Sequence, residues 1–197
     1  MFEAEFYRSS VISADHITDI LALHGLSSLR SLNCRAPSSR ERSCFAPGGR
    51  DDSVKYAAWS QEHMRAGALL PLKSFFRDFT DHVGLAPFQL NTNSYRVLSA
   101  LRSLYHEMGW IGPSPQEILY LFCIKSNPSR ARGGDGFYYL SSYPKETKIF
   151  EDLPNHPPDF KKAFFWTDGL SPSRHYSFRR IRKYSCYLYF CARDFSS

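Results

Sequence analysis

The sequence lacks any apolar run long enough to cross a membrane and any start typical of a secretory leader. None of its stretches approaches the roughly 20 apolar residues that a transmembrane helix needs. Glu3 and Glu5 lie where a leader would be basic, and no apolar segment follows them. We therefore expect an intracellular location, nucleus or cytoplasm, with no membrane partner. In that setting the five cysteines are expected to be thiols.

Signatures of metal, phosphate and nucleophile chemistry are missing as well. No C-x₂-C pair occurs, and Cys186 and Cys191 with upstream His175 supply at most half of a zinc site. The glycine-rich residues 133–136 are not followed by the lysine of a phosphate-binding loop, and Gly-x-Ser-x-Gly is absent. The sequence thus predicts neither a metal nor a cofactor.

Acidic residues suited to a transposase site are also hard to find. Such an enzyme needs three carboxylates around two metal ions. Glu117 is better explained by a helix cap, and Asp78 and Asp81 by the polar side of a helix. We therefore predict a protein without catalytic residues, one that is not an enzyme.

The positive charge is concentrated in two segments. The net charge is +6, yet residues 51–170 hold thirteen basic and thirteen acidic groups. Residues 27–50 hold five arginines against Glu41, and residues 171–197 hold six basic groups against Asp194. Basic segments attract polyanions such as RNA or DNA. The alternative is that these arginines are simply solvated.

Residues 171–197 carry the stronger nucleic-acid signal. Their basic groups alternate with rings of the kind that stack on exposed bases. The predicted nucleic-acid-binding residues are Arg174, Tyr176, Arg179, Arg180, Arg182 and Lys183. The run 179–183 also resembles a basic nuclear-import patch.

Composition and periodicity predict a fold of the α+β class. Helical spacing and caps predict helices over 13–25, 71–83, 93–108 and 115–126. Aromatic runs after a glycine turn predict strands at 137–140, 148–150 and 163–166. The expected architecture is a small bundle of about three to four helices followed by an aromatic antiparallel β-hairpin or small sheet.

The same patterns divide the chain into four parts. They are an N-terminal helical segment (1–26), a linker rich in Ser, Arg, Pro and Gly (27–53), a globular block (54–170) and a basic aromatic tail (171–197).

Several short motifs, taken in order, resemble a known family. They are Arg42-Ser43-Cys44-Phe45-Ala46-Pro47-Gly48-Gly49, Leu70-Pro71-Leu72-Lys73-Ser74-Phe75-Phe76, Gly84-Leu85-Ala86-Pro87-Phe88-Gln89-Leu90, Asn93-Ser94-Tyr95-Arg96, Pro113-Ser114-Pro115-Gln116-Glu117-Ile118 and Gly136-Phe137-Tyr138-Tyr139-Leu140. This ordered set resembles the gypsy-type transposon domain of plant genomes, also labelled a transposase, over about residues 42–170. The resemblance implies an origin in a retrotransposon-related mobile element, and it brings no catalytic residues.

Two functions remain open at this point. The first is a non-catalytic, gag-like structural protein that self-associates or associates with nucleic acid or other proteins. The alternative is a winged-helix-like DNA-binding module of a transposase-related protein, with the helix at 93–108 or 115–126 in the major groove. Those helices are poor in basic groups, since the first offers Arg96 and Arg102 and the second only Lys125.

A mobility-shift assay separates these hypotheses. We expect the full chain to retard single-stranded RNA or duplex DNA at low salt and less at high salt, because phosphate contacts release counterions. A chain that ends at Ser171 should lose the shift if the tail makes the contact. Loss of the shift on changing Arg96 and Arg102 instead would place the contact on the helix, and no shift at all would remove both binding hypotheses.

Overall fold

The described part of the protein has mixed helix and strand structure, which confirms the α+β prediction. The computed structural model describes residues 11–29, 32–38, 41, 56–126, 137–143, 149–150, 153 and 160–168. These residues form five α-helices and two small antiparallel sheets.

Three of the five described α-helices begin with a residue whose side chain caps the helix. The five helices are α1 (Ala14–Leu23), α2 (Gln61–Arg65), α3 (Ser74–His82), α4 (Thr92–Glu107) and α5 (Pro115–Leu121), with a 3₁₀ turn at Pro87–Gln89. Ser13, Asn91 and Ser114 accept hydrogen bonds from the first turns of α1, α4 and α5. Ser114 and Glu117 form the capping box that the sequence predicts.

Two of the predicted helices have a boundary displaced by three or more residues, and α2 is not among the predicted helices. Helix α3 begins at Ser74 rather than Pro71, because residues 70 and 71 form a bend in which Leu70 and Leu72 are buried on either side of exposed Pro71. Helix α5 ends at Leu121 rather than 126. The next residues form a strand, and their backbone pairs in full register with a second strand.

The sheets join distant parts of the chain. Strands β1 (Cys34–Arg35), β2 (Ala57–Trp59) and β5 (Phe165–Thr167) form one sheet in the order β1-β5-β2. Strands β3 (Phe122–Ser126) and β4 (Tyr138–Ser142) form the other. The predicted strands at 137–140 and 163–166 thus exist with shifted ends, but they do not pair with each other. Ile149 and Phe150 form a bend, and Lys148 lies outside the described residues.

Strand β1 lies in the segment for which composition predicts a linker. Arg35 makes two hydrogen bonds to the Glu41 carboxylate, at 2.9 and 2.7 Å, and its guanidinium lies over the rings of Tyr56 and Trp166. These bonds hold the pKa of Glu41 down at about 2. An ion pair on aromatic rings therefore fixes this part of the segment against the sheet.

The core is rich in aromatic rings, as the composition predicts. Its largest fully buried side chains include Trp59, Phe76, Phe79, Tyr95, Phe164, Phe165 and Trp166. The buried Tyr95 hydroxyl donates to the Pro87 carbonyl oxygen at 2.9 Å, which supplies the polar partner that a buried tyrosine needs. None of the helices in the described residues is both long and apolar enough to span a bilayer.

Among the glycines in the described ranges, Gly67 has the least room around it. Its φ is +94°, and a Cβ built on it would lie 2.4 Å from the Ser99 hydroxyl oxygen, which donates to the Ala66 carbonyl at 2.9 Å. Gly84 also has positive φ, +70°, but open space around it, and Gly112 has neither constraint.

We expect Gly67→Ala to lower the free energy of unfolding by roughly 2–4 kcal/mol, because it adds a clash to left-handed strain. Gly84→Ala should cost only the strain, about 1–2 kcal/mol, and Gly112→Ala almost nothing. Urea denaturation of the three variants measures this order. Equal losses at Gly67 and Gly84 would contradict the predicted clash.

Candidate functional site: the α4–α5 corner

A buried serine–histidine pair is the first arrangement in the fold that resembles catalytic chemistry. The Ser60 hydroxyl lies 2.7 Å from Nδ1 of His63, and Nε2 of His63 lies 3.0 Å from the Leu90 carbonyl oxygen. Because a carbonyl only accepts, Nε2 carries the proton and donates it, and Nδ1 accepts from the hydroxyl. Both imidazole nitrogens are therefore already in use.

The surroundings of this pair make it structural. Ser60 and His63 are fully buried, and the imidazole is packed against the rings of Trp59, Phe88, Tyr95 and Phe160 at centroid distances of 4.5–5.2 Å. Burial lowers the pKa of His63 to about 3. A neutral imidazole without contact to solvent has no route to an external substrate.

Metal chemistry finds no support in the described part of the chain. No group of three or more His, Cys, Asp or Glu side chains in those ranges is placed to hold a metal ion. Two of the described carboxylates have structural roles: Glu117 caps α5, and Asp168 accepts from the Asn33 backbone N–H at 2.8 Å.

The surface feature that points most clearly to a binding function lies at the end of one helix, and it emerges from a comparison of four helix ends. Helices α1, α2, α3 and α4 each close with a glycine of positive φ, at Gly25, Gly67, Gly84 and Gly109. In each, the residue after the glycine donates its backbone N–H to the carbonyl oxygen of the residue five positions earlier, as in a Schellman motif. The side chain of that residue usually packs against the last turn of its helix.

That residue is buried in three of the four motifs and exposed in the fourth. Leu26, Ala68 and Leu85 are 8%, 0% and 2% exposed, whereas Trp110 is 58% exposed. Trp110 does make the expected contact, since its ring meets that of Tyr105 edge-on at 5.4 Å. More than half of Trp110 nevertheless remains exposed to solvent, although tryptophan has the largest side chain of all residue types.

Trp110 has exposed apolar neighbours along the chain, and Tyr120 is exposed on α5, the helix whose Glu117 faces Tyr105 of α4. We call this surface the α4–α5 corner, and its members are Leu104, Met108, Trp110, Ile111 and Tyr120. They are 43% to 94% exposed, with Ile111 the most exposed. The two rings alone present roughly 200–300 Å² to solvent, because an aromatic side chain offers about 150–250 Å² in total. The three aliphatic members add further exposed apolar area.

The α4 part of the corner lies on the last turns of the helix, where its apolar stripe extends beyond the buried core. Val97, Leu98 and Leu101 of that stripe are buried, but Leu104 and Met108 in the last turns are exposed. All of these residues belong to one apolar stripe in the sequence, and the fold buries only the first part of it. One end of α4 is therefore a core element and the other an uncovered apolar face.

An acidic group borders the corner. The Glu117 carboxylate accepts hydrogen bonds from the amide and hydroxyl of Ser114, at 2.7 Å each, and these bonds lower its pKa. The same carboxylate faces the Tyr105 hydroxyl, whose pKa is raised by partial burial and then by the Glu117 charge. Glu107 is exposed beside Met108.

None of the residues singled out from sequence for nucleic-acid binding by the tail falls within the described part of the chain. These residues are Arg174, Tyr176, Arg179, Arg180, Arg182 and Lys183. Among the helix candidates, Arg96 donates to Asn93 at 2.7 Å and Arg102 lies over the Phe75 ring at 5.8 Å. Lys125 is on β3 rather than on a helix, and it donates to Ser141 at 3.0 Å.

Sequence reasoning missed the corner, although one signal was present. Gly109-Trp110-Ile111-Gly112 places two large apolar residues directly after a helix-ending glycine, in a short turn with no strand pattern. Comparison with known proteins adds nothing to this picture: no family model, no curated protein and no solved structure matches the chain.

The neutral state of His63 makes the stability of the protein depend on pH. Below about pH 6.5 the unfolded chain binds a proton at this histidine and the folded chain does not, down to about pH 3. The free energy of unfolding should therefore fall with decreasing pH across this window, with a contribution of up to about 1.4 kcal/mol per pH unit.

His63→Gln keeps an acceptor and a donor but cannot titrate. We expect its unfolding free energy to fall less steeply than that of the wild type between about pH 6.5 and about pH 4, as measured by urea denaturation. His82→Gln, at an exposed position, should keep the wild-type slope. Equal slopes in the wild type and the His63 variant would contradict the assignment.

Proposed function

We propose that this protein is a non-catalytic, gag-like interaction protein of plant retrotransposon origin that associates with protein partners, including its own copies, through the α4–α5 corner. The origin rests on the resemblance of residues 42–170 to the gypsy-type transposon domain. The mode of action rests on one observation, the exposure of Trp110 at a position that is buried in the three equivalent helix ends.

The physical case is the cost of leaving this surface in water. Burial of apolar area contributes about 25 cal/mol per Å², and each of the five corner side chains is at least 43% exposed. Aromatic residues and methionine are enriched where protein interfaces bury their centres. Trp110 and Tyr120 supply such anchors, and Met108 supplies an adaptable side chain beside them.

The groove-binding alternative has less support from the described helices. Helix α5 exposes Gln116, Glu117 and Tyr120, so its surface is acidic rather than basic. On α4, the last two turns expose Glu107 together with Arg102, whose guanidinium is directed at Phe75 of α3. A helix that enters the major groove contacts phosphates and bases with basic and amide groups. These surfaces favour a protein partner over DNA.

We expect the mass of the purified chain in sedimentation equilibrium to rise above 22.7 kDa with concentration. Trp110→Ser combined with Ile111→Ser should keep it monomeric, because the change removes the most exposed side chain of the corner, Ile111, and its largest, Trp110. A mass that stays at that of the monomer in the wild type at all concentrations would overturn self-association.

A matched control is available on α1 and the residues before it. Val11 and Leu23 are 73% and 67% exposed and lie outside the corner. Val11→Ser combined with Leu23→Ser removes a similar amount of exposed apolar surface and should associate like the wild type. If both double variants lose association equally, general surface hydrophobicity rather than the corner is responsible.

A further inference from the structure

The α4–α5 corner combines an exposed indole with carboxylates. The Trp110 ring packs against Tyr105, and the Tyr105 hydroxyl faces Glu117, which places a negative charge close to the exposed ring system. Glu107 adds a second exposed carboxylate at the end of α4, where exposed His106 precedes it. The guanidinium of Arg102 is held over Phe75, which directs this cation toward α3.

This combination suits a basic occupant that also carries apolar side chains. Tryptophan is the best of the aromatic rings for cation–π contact, and arginine is the usual cation. A guanidinium over the indole can at the same time pair with a neighbouring carboxylate, because its planar fork presents several donors. The aliphatic side chains of Met108 and Ile111 offer contact area to rings and aliphatic groups next to that arginine.

The chain itself contains a segment of this chemistry. Residues 171–197 hold six basic groups against Asp194, and Tyr176, Phe178 and Tyr184 are interleaved with them. They follow the last described residue, Asp168, closely, and at about 3.3 Å per extended residue they are long enough to reach a neighbouring molecule. In the other basic segment, by contrast, Arg35 is already bound to Glu41.

A corner that faced its own copy would be less favourable. It would bring Glu107 and Glu117 of both molecules to one interface, and like charges across an interface repel. A basic segment turns the same carboxylates into ion-pair partners.

We infer that the α4–α5 corner of one molecule binds residues 171–197 of a second copy, with an arginine over the Trp110 ring and paired to Glu117. This inference rests on the proposed function and names the partner of the same surface. Because the contact joins two different surfaces, it repeats from molecule to molecule and builds open chains rather than closed dimers.

The test uses two full-length variants that each lose one half of the contact. The corner variant carries Trp110→Ser and Ile111→Ser, and the tail variant carries Arg179→Glu, Arg180→Glu and Arg182→Glu. Each alone should sediment as a monomer. An equimolar mixture should form a complex of two chains and no larger species, because it contains one intact corner and one intact tail.

Other results would overturn the inference in distinguishable ways. If the tail variant associates like the wild type while the corner variant does not, the corner acts with another surface, and the proposed function stands without this partner. If both variants are monomeric and their mixture is too, the head-to-tail arrangement is wrong. If neither variant changes the association of the wild type, the proposed function fails as well.

Two further variants separate charge from folding. Arg179→Lys, Arg180→Lys and Arg182→Lys together keep the positive charge and should retain most of the association. Glu117→Gln keeps a side chain that can cap α5 but removes the charge, and it should weaken association about two- to fivefold at low salt and less at high salt. Unchanged affinity in Glu117→Gln would remove the carboxylate from the contact. Circular dichroism of every variant verifies that the fold is retained.

Discussion

The imidazole of His63 joins α2 to the chain that leads into α4, and its two hydrogen bonds fix the ring in place. One bond is local, to Ser60 directly before α2, and the other reaches Leu90, which leads into α4 and bridges to Tyr138 of β4. Moving α2 away from Leu90 would leave a buried polar atom unpaired, at a cost of about 1–3 kcal/mol. The position of α4, and therefore the place where its stripe leaves the core, depends on this ring.

Local signals predicted four of the five described α-helices, all but α2, because the causes of helix formation are local. The cap residues Ser13 and Ser114, the closing glycines Gly25, Gly84 and Gly109, and the apolar stripe of α4 all act within a few residues of their own positions. The strand pairing had no such signal. Strand β5 pairs with β1 and β2 from the other end of the block, and Asn33 bonds to Asp168 across 135 positions. The apolar run at 118–124 fits helix and strand equally, and pairing with β4 decides in favour of a strand from Phe122 onward.

The candidate site could not be predicted from periodicity for a different reason. A helical stripe of apolar residues shows that a face is buried, but it does not show what buries it. Leu101 and Leu104 are equivalent in the pattern, yet one is 1% exposed and the other 43%. The fold shows where the core ends, and therefore which residues of the stripe pack inside the molecule and which are available to a partner.

The size of the corner also limits the kind of association it supports. If a partner buried about 400 Å² of its apolar surface, the gross gain would be roughly 10 kcal/mol. Association costs roughly 4–15 kcal/mol in lost freedom of motion, so the apolar contact alone gives weak and reversible binding. Charge then decides the partner. If the proposed contact forms, Glu107 and Glu117 at the border of the corner would disfavour acidic surfaces and favour basic ones, and the same arginines that would pair with them are those a polyanion would attract. Protein assembly and nucleic-acid binding would therefore compete for residues 171–197, and ionic strength would act on both.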